Sequence, residues 1–310
     1  MILCVGPTPA AQRVMVFPKL VLDGVNRATR TAESVAGKSV NVAKVLNSLG
    51  EKVVATGFAG GDRGAKLVAL LKSKGIDADF IEVVTPTRQC TTVIDQSAGT
   101  ITELVEESQP APAAAYDELK ALVQRRLQGT AAVVMSGTIT PGGPADFYRW
   151  CTQFAKKNGA LSVVDAQGVP LTEALKAQPG LVKPNRSELS ATVGKQLEDQ
   201  GAVLAAMREL HDRGARHIVV TAGKDPTVAF DGHTFWRISS PAIKVINPIG
   251  SGDAFTAGLV WRLVRGDDLG EACRWAAATG GANTLTLMAG EIDTTEVDRL
   301  VKEVSVERIP

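Results

Sequence analysis

Short apolar runs alternate with amphipathic stretches along most of this chain of 310 residues. Strand-like runs lie at 1–6, 131–135, 161–164 and 217–221, and helical patterns lie at 41–49, 62–75, 119–127, 147–154 and 254–264. Strands that alternate with helices indicate βαβ units and a mainly parallel sheet. The sequence therefore predicts an α/β fold, and its length is sufficient for one domain over 1–310.

Two regions, 13–35 and 88–105, interrupt this alternation, because they carry strand-like residues without an intervening helix. We expect them to form a small antiparallel sheet that projects from the main domain as a lid, with segments at about 12–35 and 86–106. A further hairpin is predicted at 227–238, with its turn near Asp231 and Gly232.

The composition excludes several classes of partner. The formal net charge is +1, which gives no electrostatic reason to expect binding to nucleic acid or an anionic membrane. No apolar stretch approaches the roughly 20 residues of a membrane helix, and 1–6 is too short for a signal peptide. Four widely spaced cysteines without a Cys-x-x-Cys pair favour a reduced, cytoplasmic chain. The three histidines show no metal-ligand spacing.

A glycine-rich turn at 250–252 precedes the helical pattern at 254–264. Its backbone amides should lie at a helix N-terminus, where they favour an anion such as a phosphate. Asp253 follows directly and could accept the proton of an attacking hydroxyl. The turn alone also allows a simpler interpretation, in which Asp253 only caps the helix.

Four motifs together resemble those of the ribokinase/PfkB carbohydrate kinase family. The segment 247–258 resembles the family's C-terminal signature, and 183–189 resembles the Lys-Pro-Asn-x-x-Glu-Leu motif of its phosphosugar branch. The segments 136–142 and 60–64 resemble its Ser-Gly-Ser-x-Pro-x-Gly and Gly-Gly-Asp-x-x-Gly motifs. The resemblance covers nearly the whole chain. It implies a ribokinase-like three-layer fold with a mainly parallel central sheet and a small β-sheet lid.

The same resemblance implies a kinase that transfers the γ-phosphate of ATP to a hydroxyl of a phosphorylated ketohexose, of the tagatose-6-phosphate or fructose-phosphate type. Asp253 would be the general base, and the amides of Gly250, Ser251 and Gly252 would form an anion hole. ATP would be bound by Lys183, Asn185, Glu188, Thr221, Gly223 and Asn283, with Asn185 and Glu188 also organising the shell of a Mg²⁺ ion. Thr221 and Asn283 could instead be a strand-end hydroxyl and a turn or cap.

The substrate residues implied by the resemblance are Gln12, Arg27, Gly37, Lys38, Asn41, Arg88 and Ser136. Arg27, Lys38 and Arg88 would bind the phosphate that the sugar already carries, although they could also be solvated surface cations. A homodimer through the lid would let the partner subunit supply Arg27. Gln12 stands where the family usually has an aspartate, and 36–39 reads Ala-Gly-Lys-Ser instead of Gly-Gly-Lys-Gly.

Three other functions are consistent with parts of the sequence. The segment 32–39 fits a relaxed Walker A pattern, but it has only one glycine and follows a polar segment, unlike a P-loop. A non-catalytic sugar or nucleotide sensor would explain Gln12 and Ser39. A kinase for an unphosphorylated sugar or nucleoside would leave the three cations without a phosphate.

Overall fold

A ten-stranded sheet with helices on both faces forms the body of the protein in the computed structural model, which describes residues 1–309. The strands are β1 (Ile2–Val5), β2 (Ala10–Phe17), β3 (Arg30–Ala36), β4 (Val53–Thr56), β5 (Phe58–Ala59), β6 (Asp77–Ala78), β7 (Ile81–Glu82), β8 (Arg88–Asp95), β9 (Thr100–Val105), β10 (Ala132–Ser136), β11 (Leu161–Asp165), β12 (Leu181–Val182), β13 (His217–Ala222), β14 (Asp225–Phe230), β15 (Phe235–Ser239) and β16 (Ser305–Ile309).

The helices are α1 (Lys38–Ser48), α2 (Gly61–Ser73), α3 (Ala113–Arg126), α4 (Phe147–Lys157), α5 (Val169–Leu175), α6 (Arg186–Val193), α7 (Gln200–Asp212), α8 (Ser251–Leu263), α9 (Leu269–Thr284) and α10 (Thr294–Leu300). The first helix begins three residues before the predicted pattern. In α2 the N-cap is Gly60, and Asp62, where the predicted pattern begins, lies inside the first turn without a capping hydrogen bond.

Both faces of the large sheet are buried, which explains why its strands are apolar without alternation. In β1, Ile2 and Cys4 pack into the layer that contains α1, α2, α8, α9 and α10. Leu3 and Val5 point the other way, into the layer that contains α3 to α7. The predicted three-layer architecture, with helices on both faces of a central sheet, is therefore confirmed.

The large sheet has the order β16-β15-β14-β13-β12-β11-β10-β1-β4-β6. The strands from β6 to β13 pair in parallel, whereas β14, β15 and β16 pair antiparallel. The predicted hairpin is β14 and β15, and the Asp231 carboxylate accepts hydrogen bonds from the amides of His233 and Thr234 in its turn. The parallel arrangement brings the carboxyl ends of the strands to one edge, where the site lies.

A separate four-stranded sheet has the order β3-β2-β8-β9. The two outer pairings are antiparallel, but the central pair, β2 and β8, runs parallel. The predicted small sheet is therefore confirmed and is mainly antiparallel; the one parallel pairing arises because β2 and β8 come from separate segments of the chain. The predicted segments cover most of these strands, but β2 begins at Ala10 and β3 ends at Ala36, just outside the first segment. The predicted domain over 1–310 includes Pro310, which lies outside the described residues.

Within residues 1–309 no helix is long and apolar enough to cross a membrane. The four cysteines are free and buried, as expected for core thiols. The same residues contain no cluster of three or more His, Cys, Asp or Glu side chains suited to a metal ion.

Candidate active site

A cavity of about 390 Å³ lies between the small sheet and the carboxyl edge of the large sheet. It brings together most of the predicted site residues, namely Gln12, Gly37, Lys38, Asn41, Arg88, Lys183, Asn185, Glu188, Thr221, Gly250, Gly252 and Asp253. A larger groove of about 590 Å³ lies between α2 and the small sheet. Of the predicted site residues, that groove contains only Gln12, so we place the candidate active site in the smaller cavity.

The glycine-rich turn forms the N-terminal end of α8, as the sequence predicts. Gly250 is the N-cap and has φ +85°, a conformation that favours glycine. A β-carbon at this position would lie 2.8 Å from the β-carbon of Ala289, so space also requires glycine. The amide of Ser251 donates to the carbonyl of Pro248 at 3.1 Å. The amides of Gly250 and Gly252 make no such bond within the described chain, which leaves them available to an anion.

Asp253 lies in the first turn of α8 and is buried against the cavity. Its carboxylate accepts a hydrogen bond of 2.7 Å from the side-chain amide of Asn41. Burial raises the pKa of Asp253 to about 6, assisted by the charge of Asp165 and opposed by Lys38, Lys183 and the Asn41 bond. A carboxylate with this pKa is ionised at neutral pH and is a stronger base than a solvated aspartate.

Asp165 is a central residue that the sequence reasoning missed. It is the last residue of β11, is fully buried, and lies 3.0 Å from the ammonium of Lys38 and 3.2 Å from that of Lys183. Thr256 on α8 donates to it at 2.9 Å. Burial works against its charge, but the two lysines hold the pKa of Asp165 at about 2. A polar residue at the end of a buried strand is the signal that could have identified it.

Asn185 and Glu188 form a capping box at the start of α6. The Asn185 side chain accepts from the Glu188 amide, and the Glu188 carboxylate accepts from the Asn185 amide, both at 2.8 Å. The second carboxylate oxygen of Glu188 lies 3.8 Å from the ammonium of Lys38. Asn185 and Glu188 both line the cavity, and they suit a Mg²⁺ ion that keeps most of its ligands as phosphate oxygens and water. They do not form a cage made of protein alone.

The other residues predicted to bind the nucleotide have different surroundings. Thr221 lines the cavity, and its backbone forms a bridge with Asn185. Gly223 lies in the turn after β13 and does not line the cavity. Asn283 is buried in α9, where it donates to the carbonyl of Ile249 at 3.0 Å and accepts from the amide of Gly290 at 2.8 Å. Asn283 therefore holds the glycine-rich turn against the neighbouring loop.

Two of the residues predicted to bind the substrate have buried polar side chains without a hydrogen-bond partner within residues 1–309. Gln12 on β2 is only 2% exposed, and neither atom of its amide is hydrogen-bonded. The hydroxyl of Ser136 at the end of β10 is also unpaired, although Ser136 does not line the cavity. Because buried polar groups normally have a partner, the amide of Gln12 is suited to bind a polar ligand.

The three predicted phosphate cations are not equivalent. Arg88 lines the cavity and donates to the carbonyls of Thr8 and Glu106 at 3.2 and 3.4 Å. Lys38 is ion-paired with Asp165, and this neighbour raises its pKa. Arg27 is exposed in the connection between β2 and β3 and does not line the cavity of its own chain. Within residues 1–309, Arg88 is therefore the one of the three that reaches the cavity without a carboxylate partner.

Comparison with known proteins decides the family. Residues 1–295 match the family described as pfkB family carbohydrate kinase. The chain belongs to this family. A tagatose-6-phosphate kinase from Staphylococcus epidermidis is 30% identical to this PfkB member over 309 residues, which are 99% of each chain. The predicted family membership is thus confirmed, and the chain is a phosphotransferase with an alcohol group as acceptor.

Solved structures of PfkB-type kinases have the same fold as this family member. A phosphofructokinase-2 from Escherichia coli in complex with fructose-6-phosphate has a TM-score of 0.88 at 26% identity, over 97% of this chain and 98% of that one. A possible 1-phosphofructokinase from Thermotoga maritima has a TM-score of 0.92 at 24% identity, over 100% and 99% of the two chains. The second likeness bears on the fold alone.

Proposed function

We propose that this PfkB-family chain is an ATP-dependent kinase that phosphorylates a hydroxyl of a phosphorylated ketohexose, with Asp253 as the general base. The observation that carries the proposal is the position of Asp253, buried at the N-terminus of α8 beside the free amides of the glycine-rich turn. This arrangement unites a base with an anion site, which is what phosphoryl transfer to a hydroxyl requires. The tagatose-6-phosphate kinase and phosphofructokinase relatives support a sugar phosphate as acceptor.

Each group has a distinct part in the proposed reaction. Asp253 accepts the proton of the sugar hydroxyl as that oxygen attacks the γ-phosphorus, while Asn41 fixes the orientation of its carboxylate. The amides of Gly250 and Gly252 stabilise the negative charge that spreads over the transferred group. Lys38 and Lys183, held by Asp165, supply positive charge beside the transferred phosphate. The bond between the γ-phosphorus and the bridging oxygen to the β-phosphate breaks as the new bond forms, so the products are ADP and a sugar bisphosphate.

A bound Mg²⁺ ion would neutralise charge on the ATP phosphates, and Glu188 and Asn185 would orient its water ligands. We further propose that the small sheet closes over the cavity as a lid, because Gln12 and Arg88 reach the cavity from β2 and β8. Closure would exclude water from the transferred phosphate and so limit hydrolysis of ATP.

A kinase for an unphosphorylated sugar is a second candidate, favoured by one specific observation. Within a single chain, Lys38 is already paired with a carboxylate and Arg27 lies outside the cavity. Release of ADP should therefore be compared for tagatose-6-phosphate, fructose-1-phosphate, fructose-6-phosphate and the corresponding free sugars. We expect turnover with a phosphorylated sugar. Turnover confined to free sugars would select the second candidate, and no turnover across the panel would favour a sensor.

The base is tested by Asp253→Asn, which keeps the shape of the side chain but removes its basicity. We expect kcat to fall by about 10² to 10⁴, while the affinity for ATP, measured by calorimetry without sugar, stays within a few fold. Asp298→Asn, at an exposed position of α10, is the matched control and should keep full activity. Near-normal turnover of Asp253→Asn would refute the mechanism.

A further inference from the structure

Lys44 is a buried lysine that has no carboxylate within ion-pair distance in the described chain. It lies on α1 and is only 3% exposed. Its ammonium donates to the carbonyl of Val35 at 2.9 Å, the carbonyl of Ala289 at 2.6 Å and the hydroxyl of Ser34 at 3.5 Å. An ammonium has three donors, so this set of acceptors satisfies it. Burying such a charge is costly unless every donor is matched.

The acceptors of Lys44 belong to two segments that both reach the cavity. Ser34 and Val35 are in β3 of the small sheet, immediately before the cavity residues Ala36 and Gly37. The third acceptor is in the loop 285–293, between α9 and α10. Lys44 therefore connects the small sheet to a loop of the main body through hydrogen bonds to their backbones.

The loop 285–293 packs against the glycine-rich turn. Ala289 lies so close to Gly250 that a β-carbon there would be 2.8 Å from its side chain. The amide of Gly290 is held by Asn283, which also holds the carbonyl of Ile249 in the turn. A displacement of Ala289 would therefore be transmitted to the amides of the anion site. One turn before Lys44 on α1, Asn41 holds Asp253.

We propose that Lys44 is a positioning residue whose charged side chain holds β3 and the loop 285–293 in the arrangement that the anion site needs for phosphoryl transfer. We call this connection, made by the hydrogen bonds of Lys44 to β3 and to the loop 285–293, the tether. Its effect on catalysis rests on the proposed kinase function, whereas the tether itself is a property of the folded chain. Lys44 does not line the cavity, so it acts through the carbonyls of Val35 and Ala289 and not on the substrates.

The electrostatic surroundings of Lys44 make the tether sensitive to pH. Burial lowers the pKa of Lys44 to about 8, with Glu291 and Asp253 favouring the charged form and Lys74 disfavouring it. Above that pH the amine is neutral, keeps only two donors for three acceptors, and loses the additional strength of a charged donor. An arginine would remain protonated throughout this range.

The test compares kcat between pH 6 and 10 for the wild type, Lys44→Arg, Lys44→Met and the exposed control Lys72→Met. The wild type and the control should lose kcat as the pH rises through about 8, whereas Lys44→Arg should show no loss in that interval. Lys44→Met should have kcat lower by about 10- to 100-fold at pH 7. A wild-type alkaline limb in Lys44→Arg, or wild-type kcat in Lys44→Met, would overturn the proposal.

A second measurement does not depend on activity. Hydrogen exchange of the amides in 30–36 and 285–293 should be faster in Lys44→Met than in the wild type at pH 7. After correction for intrinsic exchange, the wild type should lose protection between pH 7 and 9, and Lys44→Arg should keep it. Equal protection in all three proteins overturns the tether.

If the tether is observed but no sugar is phosphorylated, only the kinase function fails. If Lys44→Met does not fold, Lys44→Arg against wild type decides.

Discussion

Burial has the largest effect on the pKa of Asp253, and its charged and polar neighbours adjust the result. Burial and the charge of Asp165 favour the protonated form, while Lys38, Lys183 and the hydrogen bond from Asn41 favour the carboxylate. The balance leaves the pKa at about 6, close enough to neutral pH for effective proton transfer. The base therefore depends on residues of β11 and α1 as well as on its own turn.

This balance predicts the pH dependence of the reaction. Asp253 must be deprotonated to act, so kcat/KM should fall as the pH decreases through about 6. Asp165→Asn removes a charge that raises the pKa of Asp253, so the acidic limb of the pH profile, where kcat/KM falls, should move to lower pH. Asn41→Leu removes a bond that lowers this pKa, so the limb should move to higher pH. Two variants that shift the limb in the same direction would contradict the assignment.

At the residue scale, the sequence predicted the glycine-rich turn and its aspartate but not the charges around them. The turn is local, and a helix start with adjacent glycines can be recognised from consecutive residues. Asp165 and Lys44 act through partners 127 and 245 residues away, respectively. Only the folded chain shows which lysine pairs with a carboxylate and which donates to backbone carbonyls.

Two helices carry the residues nearest the proposed chemistry. α8 supplies the proposed base and the proposed anion site, and α1 supplies Lys38, Asn41 and Lys44 at intervals of three residues. Such intervals place the three side chains along neighbouring turns of the same helix. The two helices pack against each other in one layer, and the hydrogen bond from Asn41 to Asp253 joins them at the cavity.

The close contact between the turn of α8 and Ala289 gives a prediction at this scale. Gly250→Ala introduces a β-carbon 2.8 Å from that of Ala289 and should reduce kcat by at least about tenfold, because the anion site must move. Gly266→Ala is the matched control, since Gly266 has φ +91° but open space around it. The control should lose about 1 kcal/mol of stability and keep its kcat. Equal kcat in the two variants would show that only backbone strain matters.

Most long elements could be predicted from the sequence, because apolar periodicity reports burial directly. The hairpin β14–β15 and the strands β10, β11 and β13 lie where the patterns place them. The start of α1 was missed because its first two residues, Lys38 and Ser39, are polar and do not belong to the apolar pattern. The parallel pairing of β2 with β8 was missed because nothing local distinguishes it from an antiparallel pairing.

For the whole molecule, the exposed connection between β2 and β3 raises the question of assembly. Leu22 is 87% exposed at its tip, with Val21 and Val25 nearby, and Arg27 lies in the same connection. We propose that this surface pairs two copies of the chain, so that the partner subunit supplies Arg27 to the sugar phosphate. This arrangement would provide the cation that a single chain does not bring to its own cavity.

Mixing two inactive variants tests this proposal. Arg27→Ala and Asp253→Asn should each have low activity with a sugar phosphate. After subunit exchange, a mixed dimer contains one site with both an intact base and Arg27 of the partner subunit. A random equal mixture should therefore regain about a quarter of wild-type activity. No recovery in a mixture shown by native mass spectrometry to contain mixed dimers would place Arg27 in the site of its own chain.

The division of the cavity between two sheets has a consequence for evolution. The residues that we propose to bind the sugar include Gln12 of β2 and Arg88 of β8 in the small sheet, whereas the glycine-rich turn and Asp253, which we propose to act on the transferred phosphate, belong to the main body. Mutations in the small sheet can therefore alter which sugar is accepted while the machinery of transfer persists. Under this proposal, a change of acceptor requires substitutions in the small sheet alone, and Gln12 stands at one position where the resemblance to the family implies an aspartate.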